Sequence, residues 1–392
     1  MSPSLTKINR FISNRVNKIP VSGLHRFFAI AAEMPDVISL GVGEPDFATP
    51  KPISEAGFES VKRGETGYTN NSGLLELRES ISNHLQRLYA VNYDAKNEIL
   101  ITVGVSEALY CVMTAICDEG DEIIVPQPCF VSYTPEILLS GGVPVIVECK
   151  PENDFEPLAS QIEAKITAKT KAILLGFPSN PTGAVLSKEN ALAIAKLAEK
   201  HDLLVISDEI YDRLVYGVEH ICFAALPNMR ERTILLGGFS KDYAMTGWRV
   251  GYICAEPEIL GATRKVHQFT IMSAPTIGQY AALEALKSGE PFVENMHGEY
   301  ARRRKLVLSG LDALGLRCFE PKGAFYAFPS VEKLGLSGDE FAEKLLINAQ
   351  VAVVPGSAFG DCGKDFVRIA YCNSYENIEI ALERIGKFIK TI

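Results

Sequence analysis

Between residues 98 and 255, short apolar runs alternate with longer helix-like stretches, and this alternation limits the possible folds more than any other feature of the 392-residue chain. Glu98–Val103, Glu122–Val125, Val143–Glu148, Lys171–Gly176, Leu203–Ser207, Thr233–Leu236 and Val250–Cys254 read as strands. They are apolar nearly throughout rather than at every second position, as expected of strands covered on both faces. Val105–Cys117, Tyr133–Leu139, Leu158–Ile166 and Ser187–Lys200 read as helices; in the first, Ala108, Val112, Ala115 and Ile116 share a face. The pattern predicts an α/β fold with a mainly parallel sheet and right-handed crossovers. Ligands of such sheets bind beyond the carboxyl ends of the strands. After residue 256, helices dominate (Glu256–Phe269, Ile277–Lys287, Glu290–Leu314 and Tyr375–Ile389), with strand candidates at Ala324–Phe328, Val351–Val354 and Phe366–Ala370, which suggests a smaller α+β unit. The glycine- and proline-bearing loop Gly41–Phe47 marks a boundary near the start.

Composition excludes several classes. With 39 basic against 48 acidic residues and a net charge of −9, no broad positive field is available for nucleic acid or an anionic membrane surface. No apolar run reaches the 18 or so residues that a membrane span requires. The nine cysteines contain no C-x-x-C pair and read as reduced, buried thiols of a cytoplasmic protein. The six histidines are dispersed, so no protein-ligated metal is expected. The first acidic residue is Glu33; Ile12, Val16, Ile19, Leu24 and Phe27, interspersed in this acid-poor start, suit a packed terminal arm better than a targeting segment.

The strand ends carry the polar residues. Gly104-Val105-Ser106 opens a helix, where free N–H groups can cradle an anion. Asn180 stands in a Pro/Gly loop after Phe177, a segment that turn chemistry alone would also explain. Asp208 and Glu209 follow a buried strand, with Tyr211 three residues on; a helix N-cap is the ordinary reading, but a carboxylate there otherwise needs a cation. Ser240, Lys241 and Arg249 follow the Thr233–Leu236 run. A lysine in the sheet's crevice is desolvated and can serve as nucleophile or base, and an arginine forks onto phosphate or carboxylate. Taken together, these groups are what a phosphorylated pyridine aldehyde needs: a Schiff-base lysine, an acid for the ring nitrogen and donors for the phosphate.

GVGEPDF (41–47), GYTNNSGLLELRE (67–79), SNPTGAV (179–185), SDEIYD (207–212), GFSKDYAMTGWRVGY (238–252), GAFYAF (323–328), VAVVPGSAFG (351–360) and VRIAY (367–371) together resemble the class I/II pyridoxal 5′-phosphate aminotransferases of fold type I, the aspartate/aromatic aminotransferase-like family, over essentially the whole chain. The resemblance implies an arm and part of the small domain at 1–44, a large cofactor-binding domain at 45–288 and a small C-terminal domain at 289–392. It implies that Lys241 forms the Schiff base, that Asp208 partners the pyridinium nitrogen, and that Asn180 and Tyr211 bond the cofactor's phenolic oxygen. It implies a phosphate cradle of Val105, Ser106, Ser240 and Arg249, completed by Tyr68 from a neighbouring subunit and hence a homodimer. It places Phe130 against the pyridine ring and Arg368 on the substrate α-carboxylate, with the Gly43 backbone beside it. Phe130 stands where some relatives have Trp, and Gly238 where some have Ser.

The implied activity is a ping-pong amino-group transfer from an L-amino acid to a 2-oxo acid, 2-oxoglutarate by family likeness. Aromatic or broad neutral donors are expected, since no second cation is clearly placed for a distal carboxylate; Lys18, His25 and Arg26 are the candidates. Specificity is expected from Ile19–Phe28, the loop after Gly43, Phe130 and Gly323–Tyr326. The alternatives are aspartate transfer, or a C–S lyase or synthase reaction on the same scaffold.

Overall fold

The computed structural model describes residues 11–19, 34 and 36–392. A short strand β1 (Ile38–Ser39) precedes a seven-stranded sheet of β2 (Ile99–Thr102), β3 (Glu122–Gln127), β4 (Val143–Glu148), β5 (Thr170–Gly176), β6 (Leu204–Asp208), β7 (Thr233–Gly238) and β8 (Gly251–Cys254), in the order β2-β8-β7-β6-β5-β3-β4. The pairs β4/β3, β3/β5, β5/β6 and β6/β7 are parallel, whereas β8 runs antiparallel to both β7 and β2. Gly251 is in register with Gly238 and with Thr102, so the amino end of β8 lies at the same sheet edge as the carboxyl ends of β7 and β2.

Both faces of the sheet are covered, which explains the unbroken apolar runs. Along β6, Val205 joins a core with Ile173, Leu175 and Ile194, while Ile206 joins a core on the opposite face with Leu109, Val112, Leu174 and Ile234. Helix Lys188–Lys200 shows the local logic. Ser187 caps it by accepting the Asn190 N–H, Glu189 lies in its first turn and Lys200 in its last, and Ala191, Ile194, Ala195 and Ala198 are buried. A separate core holds Tyr300, Phe325, Phe341, Ile369, Ile378 and Ile385. There β9 (Tyr326–Ala327) pairs with β12 (Val367–Ala370), which pairs with β11 (Val354–Pro355). β10 (Val351–Ala352) pairs instead with β1.

The structure differs from the sequence reading in several places. The Val351–Val354 candidate splits into β10 and β11 because its two halves pair with different strands. The Leu158–Ile166 helix is confined to Ala159–Glu163, and the Ala324–Phe328 strand to Tyr326–Ala327. Helices Lys51–Lys62, Leu75–Tyr89 and Gly338–Ala349 were not foreseen. Of the expected packed arm, Ile12 and Val16 are exposed and Arg15 donates to the Leu139 carbonyl at 3.3 Å; Leu24 and Phe27 lie outside the described residues. All nine cysteines are unpaired thiols, and no helix among the described residues is long and apolar enough to cross a membrane.

Ile206 is fully buried on a central strand. Ile206→Ala is expected to destabilise the protein by roughly 2–5 kcal/mol, read as a lower urea midpoint; a change below about 0.5 kcal/mol would contradict the packing described.

Candidate active site

Each polar strand end delivers one group to a single cavity of about 620 Å³. Its wall includes Gly43, Val105, Ser106, Phe130, Asn180, Asp208, Tyr211, Ser240, Lys241, Arg249 and Arg368. Thus the cofactor- and substrate-binding residues that the family resemblance implied, Tyr68 excepted, line one cavity. Tyr68 is 83% exposed and does not line the cavity. Arg249 reaches the site from the amino end of its strand, which is possible only because β8 is antiparallel.

Asp208 ends β6 and is buried. It accepts hydrogen bonds from the Tyr133 hydroxyl at 2.8 Å and the Ile210 N–H at 3.2 Å. Among the described residues no cation pairs with it, and burial raises its carboxyl to about 6. No helix starts here; residues 209–213 form turns, so the N-cap reading fails. Glu209 is held separately by His220 at 2.6 Å and by the Ser207 hydroxyl at 2.7 Å.

Lys241 follows β7. Its Nζ donates to the Gly43 carbonyl at 2.7 Å, and desolvation lowers the amine to about 8. An added Cβ at Gly43 would stand 2.2 Å from the Tyr326 hydroxyl, so this close approach of loop and aromatic ring requires glycine. The Tyr211 and Tyr326 hydroxyls are 2.7 Å apart, and burial pushes the Tyr211 phenol far up.

At the other end, Gly104 starts helix Gly104–Ile116 with φ +71°, and a Cβ there would lie 2.8 Å from Arg249 Nη2. The glycine lets the guanidinium approach the helix N-terminus, and Ser106 and Ser240 line the same cavity. Arg249 Nη1 is anchored on the Thr246 carbonyl at 2.8 Å. Arg368, buried on β12, donates from Nη1 to Asn180 Oδ1 at 2.8 Å and from Nη2 to the Gly41 carbonyl; its Nε has no partner among the described residues. The rings of Tyr326 and Phe359 lie 4.5 and 4.9 Å from this guanidinium.

Sequence reasoning missed Tyr133, Glu44, Thr246 and Phe359. Tyr133 could have been found three residues after Phe130, at a helix start beyond a strand's carboxyl end; the two rings meet edge to face at 5.6 Å. Of the candidate distal cations, Lys18 is exposed and away from the cavity wall, and His25 and Arg26 lie outside the described residues.

A pyridine aldehyde phosphate fits three observations: a buried carboxylate with no cationic partner, an amine with a lowered pKa, and an anion cradle whose glycine admits an arginine.

Known proteins share this architecture. The chain is 44% identical to an aspartate aminotransferase of Pyrococcus abyssi, over 97% of this chain and 98% of that protein. It is 41% identical to an aromatic-amino-acid aminotransferase of Thermococcus litoralis over the same shares. The crystal structure of an aromatic aminotransferase from Pyrococcus horikoshii superposes with a TM-score of 0.89 at 43% identity, covering 93% of this chain and 98% of that one. Residues 35–385 match the family model for aminotransferase class I and II, and with these relatives the match shows that the chain belongs to that family.

Proposed function

We propose that the protein is a pyridoxal 5′-phosphate-dependent aminotransferase that moves an amino group from a neutral or aromatic L-amino acid to a 2-oxo acid. One observation carries the reading: Lys241 and Asp208 face one cavity, both desolvated, with no ion-pair partner for the carboxylate among the described residues.

When bound, the cofactor supplies an aldehyde that condenses with amines and a cationic ring that accepts the electron pair released at Cα. Val105, Ser106, Ser240 and Arg249 would hold the phosphate, Phe130 would pack against the ring, and Asn180 and Tyr211 would bond its phenolic oxygen. Asp208, fixed by Tyr133, would hold the proton on the ring nitrogen. The unpartnered Nε and the planar fork of Arg368 orient the α-carboxylate beside Gly43. Lys241 Nζ, with its lowered pKa, exists partly as the free amine near neutral pH and would serve as the base that accepts the Cα proton. Donor and acceptor, 2-oxoglutarate by family likeness, then use the same groups in turn.

The cations lining the cavity among the described residues are Lys241, Arg249 and Arg368, each already occupied in this scheme. Val42, Phe130, Val131, Tyr326 and Phe359 supply apolar and aromatic wall, which supports neutral or aromatic donors. The fully displayed Tyr68 and Phe269, 83% and 87% exposed, support a homodimer in which Tyr68 serves the partner's site. The unpaired thiols suit a reducing, cytoplasmic setting.

Stopped-flow spectra with a panel of amino acids should show phenylalanine or another neutral donor discharging the lysine-bound cofactor fastest, with stoichiometric 2-oxo acid release. Aspartate as fastest donor would replace the donor class, and ammonia with pyruvate would replace the reaction. Lys241→Ala should retain bound cofactor yet lose turnover by at least about 10³-fold. Burial shifts Asp208 from 3.8 to about 6, so ionising it opposes folding increasingly as pH rises through that window. Cofactor-free Asp208→Asn should therefore be more stable than the parent at pH 8, by up to about 3 kcal/mol in urea melts, with the difference vanishing near about pH 4.

A further inference from the structure

Spacing suggested no metal or histidine cluster, yet the fold brings Glu107, Cys111 and His267 together beneath the anion cradle, with ligand-type atoms all within 4.8 Å of one another. Glu107 lies in the first turn of helix Gly104–Ile116, and His267 on the packed helix Pro257–Thr270. Glu107 Oε2 accepts the Val103 N–H at 2.6 Å. Its Oε1 lies 2.6 Å from His267 Nδ1 and accepts from the Cys111 thiol at 3.4 Å. A carboxylate accepts here, so Nδ1–H donates. The 2.6 Å contact is a hydrogen bond; two ligands each about 2.0–2.1 Å from a tetrahedral zinc stand farther apart.

His267 is fully buried, and its Nε2 has no hydrogen-bond partner among the described residues. An apolar side chain would avoid that penalty, so the imidazole is accounted for by what Nδ1 holds. Glu107 carries a negative charge within one turn of amides that face an anion. Unrestrained, it would compete for those N–H groups and repel the phosphate. Drawn back onto Val103 N–H and His267, it leaves the amides of Gly104–Ser106 free.

We propose that His267 is a positioning residue for the cofactor phosphate, acting through Glu107. This rests on the cavity taking pyridoxal 5′-phosphate as proposed above. The test titrates cofactor-free protein with pyridoxal 5′-phosphate and, separately, with pyridoxal, which lacks the phosphate. His267→Leu should weaken the phosphate ester by about tenfold or more while leaving pyridoxal within about twofold. His267→Asn, whose amide can donate from the Nδ1 position, should stay within about threefold of the parent. Adding Glu107→Gln to His267→Leu should restore most of the loss, because a neutral amide still accepts from Val103 without repelling phosphate. Equal losses for both ligands, no loss, or no recovery by Glu107→Gln would overturn the proposal, as would stoichiometric zinc in the purified protein. If His267→Leu does not fold, Glu107→Gln alone decides: unchanged or tighter phosphate-ester binding supports the clasp, and weaker binding contradicts it. A parent protein that binds neither ligand refutes the cofactor reading itself, which the variants do not.

Discussion

Two desolvated groups of opposite sign, Lys241 and Asp208, set the terms for everything around them. Among the described residues neither has a close ion-pair partner, and each has its pKa moved toward neutrality, down to about 8 and up to about 6. Below pH 8 burial opposes folding through the lysine, and above pH 6 it opposes folding through the aspartate, so near neutral pH both penalties stand. A doubly covered sheet with several buried cores can carry that load. The site is thus an expenditure of stability that a cationic ring and an aldehyde would relieve on binding.

The loop Gly41–Phe47 links the sheet's crevice to the smaller core. Its Gly43 carbonyl accepts from Lys241, its Gly41 carbonyl from Arg368, and Asp46 from Arg303 at 2.7 Å. Arg303 sits on helix Glu290–Ala313, with the Phe47 ring 5.3 Å away. A shift of that helix would therefore move the Gly41–Glu44 backbone in the cavity wall. Hydrogen bonds thus tie the loop to both Lys241 and Arg368.

Much of this was legible in the chain. The strands are readable because both faces are buried, and the polar groups that line the cavity follow or precede their ends, at Asn180, Asp208, Lys241 and Arg249. Strand direction was not legible: the apolar run of β8 reads the same either way, and only pairing with β7 and β2 shows that Arg249 belongs to the binding edge. Helix Lys51–Lys62 hid because its buried face is Ile53, Gly57 and Ser60, a weak apolar signal. Helix Gly338–Ala349 carries a readable signature, a Ser337/Glu340 capping box with Phe341 and Leu345 four apart. The Glu107–His267 contact joins residues 160 positions apart, which no local pattern encodes.

Reductive trapping addresses the central claim most directly. Cofactor-free protein mixed with stoichiometric pyridoxal 5′-phosphate, fixed with borohydride and mapped by peptide mass spectrometry should carry one phosphopyridoxyl group, on Lys241. An unlabelled protein, or label spread over surface lysines with Lys241 untouched, would contradict the account.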